Sequence, residues 1–133
     1  MYAIYINEDY LPFADLILSG MKVWETRNRN MLGKLIGEQV AIVSTSRKRK
    51  PLIKGLATIT EARHVTPEEY ELFRGKTYVP KGSKYDCTPK GKWLYRMSNP
   101  IHFAPIPLPE DIIRHGRSWC YIPQYTRIEE VKA

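Results

Sequence analysis

The 133-residue chain predicts an α+β fold, mainly β, in which about five to six short, mostly antiparallel strands curl toward a small barrel beside two or three short helices. Strand-length apolar runs such as Val40-Ala41-Ile42-Val43 recur between clusters of turn residues. Most connections are of hairpin length, which favours antiparallel neighbours. Only two segments combine helical periodicity with start and stop signals. A flat α+β sandwich is the competing arrangement.

In chain order, residues 2–6 read as the first strand. Asp9 is placed to cap a short helix that tolerates Pro12 in its first turn. Phe13, Leu16 and Ile17 give that helix an apolar stripe, and Gly20 is a natural left-handed stop. Residues 23–27 form the next strand and residues 28–37 a polar loop. The buried strand 39–44 pairs with 52–62 across a basic turn. Thr66, Pro67 and Glu69 spell a helix start with a capping box; Tyr70 and Phe73 form its apolar side and Gly75 its end. Residues 76–92 are a long loop rich in Gly, Pro, Tyr and Lys, and loops of that length are usually functional or mobile. Residues 93–97 are a strand, 100–109 a proline-studded extended segment, and 118–122 a last strand. The expected organisation is one domain over residues 2–122 with a loosely held extension over 123–133.

A net charge of +7 and a pI near 9.5 favour polyanionic partners, nucleic acid first. No apolar run approaches the ~18 residues of a membrane span, so no membrane partner is expected. The first residues lack the basic-then-apolar pattern of a secretory leader. Cys87 and Cys120 are far apart, and with His64, His102 and His115 they show no metal-ligand spacing. A cytoplasmic protein without metal or cofactor is the expectation.

The most informative stretch is Gly20-Met21-Lys22-Val23-Trp24-Glu25-Thr26-Arg27. It sets two cations and an anion among strand formers, where side chains are part-buried. Buried charge persists when paired or when it receives a charged ligand. Glu25 and Arg27 share a strand face, whereas Lys22 joins them only if the chain turns after Gly20. A plain Glu25–Arg27 ion pair on the sheet surface remains the alternative.

The spacing Gly20-x-Lys22-x-x-Glu25-x-Arg27 resembles the signature of the ASCH domain, a branch of the PUA-like superfamily. The likeness continues through residues 37–46, which end in Ser44-Thr45-Ser46, and through 52–59 with Gly55. It extends to 92–100, to Pro105-Ile106-Pro107, and to Gly116-Arg117-Ser118-Trp119. It implies a PUA-like small β-barrel with a cleft lined by the motif, and Arg114-His115-Gly116-Arg117 resembles the segment that closes over that cleft. Related folds bind RNA, and some recognise modified bases. Some similar proteins hydrolyse N4-acetylcytidine or cleave RNA; in the amidohydrolase branch the motif lysine works with a threonine three residues later. Glu25 stands at that place here, with Thr26 displaced by one.

The resulting expectation is a module that binds single-stranded RNA or a modified nucleotide. Its ligand-binding cleft would comprise Lys22, Glu25, Arg27, Ser44, Thr45 and Trp93. Arg47, Lys48, Arg49, Lys50 and Lys84 would hold phosphates. Lys76, Lys81, Lys90 and Lys92, interleaved with Tyr78 and Tyr85, offer a further basic surface suited to a single strand. Trp93 is the expected stacking residue and Trp24 a core residue. The alternative is a small hydrolase, of ribonuclease or amidohydrolase type, with Lys22 and Glu25 as catalytic residues helped by Tyr5 or Ser44.

Overall fold

Val40, Ala41, Ile42 and Val43 are all fully buried, as a strand covered on both faces must be. They lie in the middle of a seven-stranded sheet, seen in a computed structural model that describes residues 1–123 and 126–132. The strands are β1 (Tyr2–Asn7), β2 (Trp24–Arg27), β3 (Gln39–Ser46), β4 (Arg49–Val65), β5 (Lys92–Pro107), β6 (Ile113–His115) and β7 (Trp119–Tyr121). Their order is β2-β5-β4-β3-β1-β7-β6. Among the described residues only the β1–β3 pair is parallel. Among the described residues the helices are α1 (Phe13–Leu18), α2 (Pro67–Thr77) and α3 (Thr126–Lys132), and none is long and apolar enough to cross a membrane.

The expected barrel of five to six strands is corrected to an open, mixed, seven-stranded sheet. Its terminal strands, β2 and β6, are four and three residues long and do not pair with each other. Register shifts in β4 bend the sheet instead. The Arg27 guanidinium on β2 thereby donates across to the Tyr5 carbonyl on β1, at 2.7 Å.

Alternation divides the core into two main clusters. Ile4, Ile6, Val40 and Ile42 pack under α1, against Phe13, Ala14, Ile17 and Leu18. Ala3, Ala41, Val43 and Ile53 form the other side with Ile106, Cys120 and Ile128. Ile128 belongs to α3, so the tail supplies a core side chain rather than hanging loosely. Gly55 lets the layers meet: a Cβ there would lie 2.2 Å from the Ile101 carbonyl oxygen and 2.6 Å from Leu18 Cδ2.

Several local expectations need revision. Asp9 does not cap α1; it accepts from Ser46 and from the Arg47 amide at the β3–β4 turn. The Glu8 carboxylate takes the Ala14 and Asp15 amides, a better match to the positive end of the helix. The Thr66 capping box forms as expected, but α2 runs past the exposed Gly75 to Thr77 and turns left-handed at Tyr78 (φ 58°). The Thr77 hydroxyl sets this end by donating to the Arg74 carbonyl. The segment of prolines is the second half of β5. Beyond Arg96 that strand pairs only with β4, so Pro100, Pro105 and Pro107 sit where an edge tolerates a missing donor. β6 has no apolar alternation and was not expected; all its residues are exposed.

Candidate functional site

The chain leaves α1 through Gly20 (φ +83°), a left-handed turn that favours glycine. The Lys22 amide is then tied back to the Leu16 carbonyl, and the Val23 amide to the Lys76 carbonyl at the end of α2. This clamps the strand entry between two helix ends and turns Lys22 inward, where it is only 1% exposed. Its ammonium donates to the Thr77 carbonyl at 2.6 Å and lies 3.6 Å from Glu25 Oε1. Carbonyls at a helix C-terminus lack intrahelical partners and carry partial negative charge, so the end of α2 is a natural anchor for a buried cation.

Glu25 is buried on β2 and points into the same space. Its Oε2 accepts from Arg27 Nη2 at 2.9 Å and from Nε at 3.1 Å. Burial alone would raise the Glu25 carboxyl; the charges of Arg27 and Lys22 overcome it and hold the group below its ordinary range. For Lys22, burial pushes the ammonium down and the Glu25 charge offsets this in part. The carboxylate is thus held ionised, while the lysine releases its proton more readily than a solvated one.

These three side chains line a cavity of about 390 Å³ between β1, β2 and the segment joining α2 to β5. Thr45 and Lys84 also line it, together with Phe13, Tyr85, Lys92 and Arg117. The Lys22 ammonium sits 4.9 Å from the Phe13 ring centroid, and Tyr85 meets Phe13 edge-on at 5.8 Å. Lys92 is 3% exposed and donates to Asn28 Oδ1 at 2.7 Å and to the Asp86 carbonyl at 3.3 Å. Both acceptors are neutral, and burial lowers its proton affinity. The lining carries five cations (Lys22, Arg27, Lys84, Lys92, Arg117) and one carboxylate.

Other expected residues lie elsewhere. Ser44 is fully buried in a separate network with Glu8 and Arg49, and the Glu8 carboxylate is 2.9 Å from Lys54. Trp93 does not line the cavity, although it is paired directly with Arg27; its ring packs edge-on against His64 at 5.4 Å. The Tyr5 side chain belongs to the opposite cluster, and only its carbonyl reaches Arg27. Trp24 packs with Tyr70 and Leu94, as a core residue. Arg47, Lys48, Arg49 and Lys50 are exposed at the β3–β4 hairpin, though Arg49 is held by Ser44. The sequence puts Lys92 on an outer basic surface, whereas pairing of β5 with β2 brings it beside Arg27; Arg117, in the segment that resembles a cleft-closing element, does line the cavity.

Comparison with solved structures gives a direct counterpart for this arrangement of strands and helices. The ASCH protein of Zymomonas mobilis superposes with a TM-score of 0.73 at 14% identity, over 97% of this chain and 91% of that one. A serine-to-alanine variant of the same protein matches with a TM-score of 0.73 at 14% identity, over 97% and 92%. A tyrosine-to-phenylalanine variant gives 0.71 at 15% identity, over 97% and 94%. The chain has the ASCH fold. No family model matches it, and no curated protein does. At such identity the likeness carries the fold, while the chemistry rests on the cavity itself.

Proposed function

We propose that this ASCH-fold chain binds RNA or a modified nucleotide, with a base in the cavity and phosphates along its basic rim. One observation carries the reading: five cations and one carboxylate surround a space of about 390 Å³ with aromatic rings at its wall. Such a volume lies within the range of small-ligand sites. Glu25, Thr77 and Tyr5 already engage Lys22 and Arg27, so these form a fixed, polarised wall. Lys92, with two of its three ammonium donors on neutral acceptors, offers the third to a base carbonyl, a ring nitrogen or a phosphate oxygen. Phe13 and Tyr85 supply apolar faces, and Lys84 and Arg117 supply charge at the mouth.

The test is equilibrium binding of nucleoside monophosphates, modified nucleosides and short RNAs to wild type and Lys92→Met. Methionine keeps the length and removes a buried charge, so folding should survive. Loss of a charged hydrogen bond predicts about 10-fold weaker binding or more. No binding by wild type to any of these ligands overturns the reading, and unchanged affinity in the variant removes Lys92 from it.

A second reading, a hydrolase, is favoured by the lowered proton affinity of Lys22 beside an ionised carboxylate. Lys22 is then the candidate base, and Glu25 its charge partner rather than a general acid, since an acid catalyst needs a raised value. Turnover of an acetylated nucleoside or RNA by wild type, lost by ~100-fold in Lys22→Met with ligand still bound, would establish it. An absence of product across the panel leaves the binding function alone.

A further inference from the structure

We propose that the aromatic surface of β6 and β7 is a second nucleobase subsite, which makes the preferred ligand a single-stranded polynucleotide rather than a free nucleotide. This inference rests on the nucleic-acid reading of the cavity. His115 stacks on Trp119 with ring centroids 4.1 Å apart and planes 9° from parallel, the geometry in which bases stack. Tyr2 braces the tryptophan edge-on at 5.5 Å and meets Tyr121 at 5.3 Å. His115 is exposed, so its ring adds little to the core and leaves a planar face for solvent or a ligand.

Strand register places this platform on the same sheet face as the cavity. Trp119 is opposite Ile4, and His115 opposite Trp119; directly opposed residues share a face. Ile4 packs in the cluster beneath α1 together with Ile6, and Ile6 lines the cavity. Arg117, two positions before Trp119, lines the cavity from the other side and joins the two sites with positive charge. His115 covers one face of Trp119, and Tyr2 lies against both Trp119 and Tyr121, so the ring that the platform leaves open is His115. Such a platform takes bases that are already splayed apart, which single strands offer and duplexes do not.

The test compares adenosine and uridine 5′-monophosphates with tetraadenylate and tetrauridylate at fixed salt, by calorimetry and tryptophan fluorescence. Wild type should bind the tetranucleotides about 10-fold more tightly than the monophosphates, from stacking. His115→Ala, a surface change, should erase most of that gain, and Trp119→Phe should abolish the fluorescence change that only the tetranucleotides produce. Tetranucleotides bound by His115→Ala as tightly as by wild type would overturn the subsite while leaving the cavity reading intact. If neither monophosphates nor tetranucleotides bind wild type, both proposals fall together.

Discussion

Glu25 presents its two oxygens to different cations, Oε2 to Arg27 at 2.9 Å and Oε1 to Lys22 at 3.6 Å. Its carboxyl is held below the ordinary value of 4.5, burial opposing and the two cations prevailing. A carboxyl with a depressed folded value leaves the unfolded chain binding more protons at mildly acid pH, so stability rises with pH there. The contribution of Glu25 is therefore complete above the unfolded value of 4.5 and is lost as pH falls through the lower folded value. Urea unfolding of wild type should show this loss on the acid side, and Glu25→Gln should flatten it. At neutral pH the same variant should cost roughly 3 kcal/mol, because Lys22 and Arg27 lose the charge that compensates their burial. An equally steep acid limb in the variant would assign the effect to another carboxylate.

Gly55 controls how α1 seats on the sheet. A methyl group there meets the Ile101 carbonyl oxygen at 2.2 Å, and backbone cannot yield as a flexible side chain would. Gly55→Ala should destabilise by about 1–3 kcal/mol or more, measured by denaturant midpoint, and should loosen the packing of Leu18. The glycine was visible in the sequence, as were β1, β3 and the capping box of α2, because each is written in neighbouring residues. Lys22, Glu25 and Arg27 were legible as a group for the same reason: one left-handed turn and one short strand place them on a common wall. Lys92 comes to that wall through strand pairing, which no local pattern encodes, whereas Arg117 sits in the turn between β6 and β7, the segment whose resemblance pointed to the cleft. The proline-rich half of β5 was legible only as extended, since its pairing depends on which side of the strand is free. Closure failed as an expectation because the end strands are too short to zip, a property of the whole sheet.

The molecule carries +7, and its cations are not spread evenly in role. Lys22, Arg27 and Lys92 are drawn into the cavity region, whereas Arg47, Lys48 and Lys50 stand at the tip of the β3–β4 hairpin. Arg47 reaches Asp9 at 3.5 Å with its side chain 91% exposed, an ion pair that a phosphate can displace at little cost. Arg49 is different: it donates to the Ser44 carbonyl and hydroxyl and lies 3.7 Å from Glu8, so it braces the hairpin. Arg47, Lys48 and Lys50, all exposed, are the ones to neutralise. Each phosphate contact on a single strand contributes about 0.7 to the log–log salt slope. Replacing Arg47, Lys48 and Lys50 together with glutamine should then lower the slope for RNA by roughly 2 if all three engage phosphate. Affinity should fall by a similar factor for every sequence, since phosphates position a ligand and bases specify it. Monophosphate binding should be unaffected, because none of the three side chains lines the cavity. A salt slope equal to that of wild type would mean that these side chains are simply hydrated, and that the polyanion is held by Lys84, Arg117 and the cavity mouth alone.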